Sequence, residues 1–185
     1  MQRKISFLLT ILLTTILTAC LSTTNSFTPT DTPVENPSDG SPPPATLEID
    51  GTTQTAGVGT FCWNTQTANN ESVDMCVDKI GLPAPYIPLI SKSPVTARLI
   101  LPLADSPNQL GLSIFQATAE NEVKVDAGTD KFRYWMPAEG INRELKLQTT
   151  QEITLELDSG LYVFYVFAVW GGKGDVSYGF LVEVQ

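Results

Sequence analysis

Between Val95 and Val184 apolar residues return at every second position, segment after segment. Val95, Ala97, Leu99 and Leu101 alternate with Thr96, Arg98 and Ile100, and Ile153, Leu155 and Leu157 alternate with Thr154, Glu156 and Asp158. Tyr178, Phe180, Val182 and Val184 alternate with Gly179 and Glu183, and shorter alternations run over 110–115, 123–125 and 145–147. Successive side chains of an extended chain point to opposite faces, so this period buries one face of a strand and wets the other. Turn-forming clusters separate the segments at Asp105-Ser106-Pro107-Asn108, Ala127-Gly128-Thr129-Asp130 and Gly171-Gly172-Lys173-Gly174. No stretch of ten or more residues keeps helical spacing, and no internal repeat is present. The pattern predicts an all-β sandwich or barrel over residues 46–185. A chain of that length buries about two-thirds of its unfolded surface.

Leu161 to Trp170 departs from the alternation by being apolar at nearly every position. It is too short to span a bilayer, which takes about 20 residues, so it reads as a central strand covered on both faces. The preceding Asp158-Ser159-Gly160-Leu161-Tyr162 resembles the turn into strand F of immunoglobulin-like domains, in which a Tyr hydroxyl bonds back to the backbone. The resemblance implies an antiparallel immunoglobulin-like sandwich, with 161–170 and 177–184 as strands F and G. The family's inter-sheet Cys stands two residues after that Tyr, where this chain has Phe164. Leu82-Pro83-Ala84-Pro85-Tyr86-Ile87-Pro88 cannot be a central strand, because Pro donates no ladder hydrogen bond; an extended connection over the sandwich surface is expected.

The N-terminus carries a different message. Arg3 and Lys4 precede an uncharged stretch from Ile5 to Leu17, the layout of a secretory signal peptide. It ends on Leu17-Thr18-Ala19-Cys20, which resembles the lipobox of bacterial lipoproteins. The resemblance implies that residues 1–19 are removed, that the Cys20 thiol receives a diacylglycerol, and that the protein is held at a membrane of the bacterial cell envelope on the extracytoplasmic side. Residues 20–45 follow, with six prolines between Pro29 and Pro44 among many Ser and Thr. So few large apolar residues cannot offset the entropy of ordering, and a disordered tether is expected.

Lipidation of Cys20 leaves two cysteines, Cys62 and Cys76. In an oxidising compartment a disulfide is their expected state, and closing a loop of this length stabilises by about 3 kcal/mol on the chain-entropy model. The polar segment from Asn64 to Asp74 between them reads as a clipped loop. With no His in the chain, a zinc site would have too few ligands. Twenty acidic residues against eleven basic ones give a net charge of −9, and removal of Arg3 and Lys4 makes it more negative. Such a chain repels phosphate, which excludes the footprint of a nucleic-acid binder and of side-chain attachment to anionic lipid. Attachment must come from acyl chains, at about 0.8 kcal/mol per buried CH₂.

Catalysis has little to build on. Without His, the common general base and the Ser-His-Asp and Cys-His arrangements are absent. Carboxylate pairs remain as candidates at Asp74 with Asp78 and at Asp126 with Asp130, since glycoside hydrolysis needs two acids about 5–10 Å apart. Asp126 to Asp130 lacks the acidic ladder of a calcium loop, and Gly171 to Gly174 lacks the spacing of a phosphate-binding loop. No catalytic residue, metal or cofactor is expected. For binding, the candidate cluster is Arg133, Tyr134 and Trp135 within Lys131-Phe132-Arg133-Tyr134-Trp135-Met136-Pro137, where an exposed Trp beside Arg would form a contact anchor. The competing account packs those aromatics in the core. The expected function is a non-catalytic binding or structural module of the envelope, meeting a protein or glycan partner. The competing class is a small extracytoplasmic hydrolase using paired carboxylates.

Overall fold

A computed structural model of the chain describes residues 40–66, 69–124 and 132–185. Among them every regular element is a strand. In chain order these are β1 (Thr46–Ile49), β2 (Thr52–Thr55), β3 (Gly57–Gln66), β4 (Ser72–Val77), β5 (Leu82–Pro85), β6 (Leu89–Ser91), β7 (Val95–Ile100), β8 (Gln109–Gln116), β9 (Glu122–Val123), β10 (Phe132–Trp135), β11 (Ile141–Glu144), β12 (Thr150–Leu155), β13 (Gly160–Trp170) and β14 (Gly174–Val184). They form a four-stranded sheet in the order β12-β7-β1-β2 and a seven-stranded sheet in the order β11-β8-β13-β14-β3-β4, with β6 beside β14. A three-stranded sheet has the order β5-β10-β9. All pairings are antiparallel except β6 with β14.

The two larger sheets make the sandwich. Val95, Ala97 and Leu99 of β7 and Ile153 and Leu155 of β12 turn inward, and they meet Phe164, Val166 and Ala168 of β13 and Tyr178, Phe180 and Val182 of β14. Each alternation in the sequence thus becomes one buried face. The order β8-β13-β14 is the C-F-G order of the immunoglobulin sandwich, and β12-β7-β1 reproduces E-B-A. The corner before β13 also has the expected bond, Tyr162 donating its hydroxyl to the Asp158 carbonyl at 3.0 Å. Phe164, standing where the family has Cys, is fully buried. Trp63 and Trp170 meet edge to face with centroids 5.8 Å apart, and Trp170 donates its indole N–H to the Asp105 carbonyl at 2.9 Å.

The small sheet adds a third layer over one end of the seven-stranded sheet. Leu82, Ala84 and Trp135 pack on Phe115, Val163 and Leu181, a second core on the far side from the first. This accounts for the apolar run of β13, which faces one core with Phe164, Val166 and Ala168 and the other with Val163. The close approach of β5 depends on Gly57 and Gly179, where a Cβ would fall onto the Pro83 carbonyl oxygen. The proline-rich segment is therefore a short edge strand lying on the sandwich, paired with β10 alone within its sheet.

Two expectations need correction. Residues 145–147 form no strand: Leu145 donates to Leu110 at the end of β11, Gln148 then turns back to the Lys146 carbonyl, and Leu147 is exposed. Packed structure also extends N-terminal of Thr46. Pro42, Pro43 and Ala45 are buried, and the Pro43 carbonyl accepts the Tyr178 hydroxyl at 3.0 Å. These prolines sit on the core because Tyr178, wholly buried, needs an acceptor for its hydroxyl. Burial pushes that hydroxyl's pKa above its ordinary value. The segments read from the sequence as a signal peptide and the rest of a tether lie outside the described residues, as do Val125 and the turn at 127–130.

One side chain completes a broken ladder. β14 pairs with β3 from Gly174 to Gly179 and with β6 from Val182 to Val184. In the gap, Gln54 of β2 accepts from the Leu181 N–H at 2.9 Å and donates to the Leu181 carbonyl at 3.3 Å and to the Ile87 carbonyl at 2.8 Å. Its amide stands in for a missing strand neighbour.

Candidate functional site

Cys62 and Cys76 are bonded to each other and sit directly opposite in the β3–β4 pair, with Cα atoms 4.1 Å apart. The pairing matches the expectation, but the surroundings do not. Asn64, Thr65 and Gln66 pair with Asp74, Val73 and Ser72, so both ends of the expected loop are paired strand. Both cysteines are exposed, and the bridge clips the two outermost strands at one edge of the seven-stranded sheet. Asn64 donates to Asp74 at 2.7 Å and to Ser72 at 2.6 Å on the same face.

The Arg133–Tyr134–Trp135 cluster lies on β10, in the middle of the small sheet. Arg133 and Trp135 share a face, as alternation requires, and the Arg133 guanidinium lies 4.5 Å from the Trp135 ring centroid. That face is turned toward the molecule, however. Trp135 is 1 % exposed, so of the two accounts the core one holds and Trp135 is not a surface anchor. The reason is physical: Phe115, Val163 and Leu181 project from the far side of the large sheet, and Trp135 is the largest side chain available to cover them. Arg133 is also occupied, donating to Glu122 at 2.9 Å, while Lys124 reaches the other oxygen of Glu122 at 2.9 Å. The hydrogen bonds from Arg133 and then Lys124 hold the Glu122 carboxyl at about 2, well below the usual carboxylate range. Tyr134 is partly buried between Pro83 and Val123.

Asp74 and Asp78 do not form a pair. They are four residues apart on one extended stretch, about 13 Å at the usual rise. Asp74 is bonded to Asn64, and Asp78 accepts from the Thr60 hydroxyl at 3.2 Å. Asp126 and Asp130 lie outside the described residues. Among the described residues no group of three or more His, Cys, Asp or Glu side chains could hold a metal ion. Gly171 to Gly174 is the β13–β14 turn, with Lys173 donating to the Trp170 carbonyl and positive φ at Gly172 and Gly174.

The feature that sequence reasoning missed is at the other end of the same sheet face. Beyond the small sheet, β11, β8 and β13 run side by side, and among the described residues no further strand lies over them, though Tyr165 still packs against the second core. Their register builds two cross-strand rows, Asn142–Ser113–Tyr165 and Glu144–Gly111–Phe167. Gly111 contributes no side chain, and a Cβ there would meet nothing within 4 Å. The result is a surface groove of about 350 Å³ between the tips of Asn142, Glu144, Tyr165 and Phe167, with Arg143 at its edge. Ser113 donates its hydroxyl to Asn142 Oδ1, leaving Asn142 Nδ2 free. Burial and then the Asp175 carboxylate raise the pKa of Tyr165, so its hydroxyl stays protonated and can both donate and accept. The sequence signal was the pair of aromatics at Tyr165 and Phe167, one strand position apart on the outward face of β13. It was obscured by reading the whole of Leu161 to Trp170 as covered.

No family model, curated protein or solved structure matches this chain. The immunoglobulin-like sandwich is a common architecture that hosts unrelated functions, so the fold alone assigns none.

Proposed function

We propose that this chain is a lipid-anchored, extracytoplasmic module of a bacterial cell envelope that works by binding or by structural support rather than by catalysis. The observation that carries this reading is Leu17-Thr18-Ala19-Cys20 behind a basic start and an apolar stretch. The Cys62–Cys76 disulfide supports it, because structural disulfides persist chiefly outside the cytosol. The described acids support the non-catalytic half, since Asp74 and Asp78 are bonded to neighbours and too far apart to share a substrate. Nine basic residues after Lys4 against twenty acidic ones argue that the acyl chains, and not the protein surface, hold the anionic membrane.

The test is mass spectrometry of the mature N-terminus after expression in a bacterium that processes lipoproteins. The expected product begins at Cys20 and carries acyl chains, and Cys20→Ser moves the protein out of the membrane fraction. An unmodified Cys20, or cleavage at another position, overturns the proposal.

A further inference from the structure

The groove over β8, β11 and β13 combines two properties that a passive sheet face does not need. Phe167 and Tyr165 offer apolar surface on one side of it, and on the other side stand polar groups with nothing to bind. Among the described residues, Glu144, the Tyr165 hydroxyl and Asn142 Nδ2 have no hydrogen-bond or ion-pair partner. Gly111 keeps the space between them open.

The geometry points to this groove as a binding site for a neutral glycan, with one or two pyranose rings seated between the two cross-strand rows. The size fits: the rows are about 7 Å apart along the strands and span three strands about 5 Å apart. The chemistry fits as well. A pyranose presents an apolar C–H face to an aromatic ring, while its hydroxyls donate and accept around the rim. Asn142 Nδ2 donates, Glu144 accepts, and the Tyr165 hydroxyl does both. The acidic chain as a whole repels a polyanionic sugar. An extended peptide is less well served, because strand addition reads backbone groups at a sheet edge, whereas these polar groups are side-chain tips on the sheet face.

This inference rests on reading the chain as a binding module, but its test is independent of the anchor. The full-length protein in detergent micelles is titrated calorimetrically with cellotetraose and with the N-acetylglucosamine tetramer. At least one sugar is expected to bind saturably with a Kd of about 0.1–1 mM, and Asn142→Ala and Phe167→Ala each weaken it about tenfold. Gly111→Val is the decisive variant: it fills the groove with a side chain that meets no neighbour at its Cβ, so it abolishes binding while the unfolding midpoint stays at the parent value. Binding that survives Gly111→Val, or the absence of binding by either sugar at about 10 mM, overturns the inference. Either result leaves acylation of Cys20 unaffected, and an unmodified Cys20 leaves the sugar titration unaffected.

Discussion

The far side of the seven-stranded sheet is treated differently at its two ends, and glycines mark the difference. At one end Gly57 and Gly179 admit the backbone of β5, whose Pro83 carbonyl occupies the space their side chains would take. That end is roofed: Trp135, Leu82 and Ala84 close over Phe115, Val163 and Leu181. At the other end Gly111 faces open space, and the aromatics beside it, Tyr165 and Phe167, remain partly exposed. The same residue type on one surface serves close packing in one place and a vacant groove in the other. Only the three-dimensional neighbours tell the two apart, and the comparison locates structural need at the roofed end and freedom to bind at the open one.

The largest effect that could break this comparison is at the roof. Trp135→Ala is expected to cost about 3–5 kcal/mol in urea unfolding, as a fully buried Trp should. A loss under about 1 kcal/mol would place the ring on the surface and remove the distinction between the ends. Next comes Gln54→Leu, which keeps the bulk but strips the partner from the buried Leu181 N–H and carbonyl. A loss of about 1–3 kcal/mol is expected. An unchanged midpoint would mean that the gap between β3 and β6 satisfies itself by another route. The smallest effect is electrostatic. Pairing with Arg133 and Lys124 lowers the Glu122 pKa from the ordinary 4.5 to about 2, so the folded state favours the carboxylate. Its contribution is complete above the ordinary range and disappears as pH falls toward 2. With solvent screening the difference between parent and Glu122→Gln should be about 1 kcal/mol at neutral pH and vanish in acid. A difference that persisted at pH 2 would assign it to packing.

Much of the fold was legible because the physics that sets it is local. The period-two pattern over Val95 to Leu101 and Tyr178 to Val184 identifies which faces are buried, and Tyr162 marks the corner into β13. The doubly apolar β13 predicted two covers, but no local signal says that the second cover is a small sheet reaching along only part of its length. The choice left open at Trp135 has the same origin. Alternation correctly placed Arg133 and Trp135 on one face, while the choice of which face is buried was made by Phe115, Val163 and Leu181, distant in sequence. The groove was illegible for a related reason: Asn142, Ser113 and Tyr165 align only through the registers of three strands. Gln54 likewise reads as a polar residue in a weak Thr-rich strand until the break in the β14 ladder is seen.

The division of the sheet face into a roofed end and an open end is tested most directly by one paired measurement, the urea unfolding free energies of Gly179→Ala and Gly111→Ala. At Gly179 the new methyl group runs into the Pro83 carbonyl and approaches Leu82 at 2.9 Å, so the roof must lift at a cost of about 1–3 kcal/mol. At Gly111 the methyl group meets nothing, and removing a strand glycine leaves stability unchanged or raises it by about 0.5 kcal/mol. Losses of equal size at the two positions would contradict the account, since both glycines would then lie under packed neighbours.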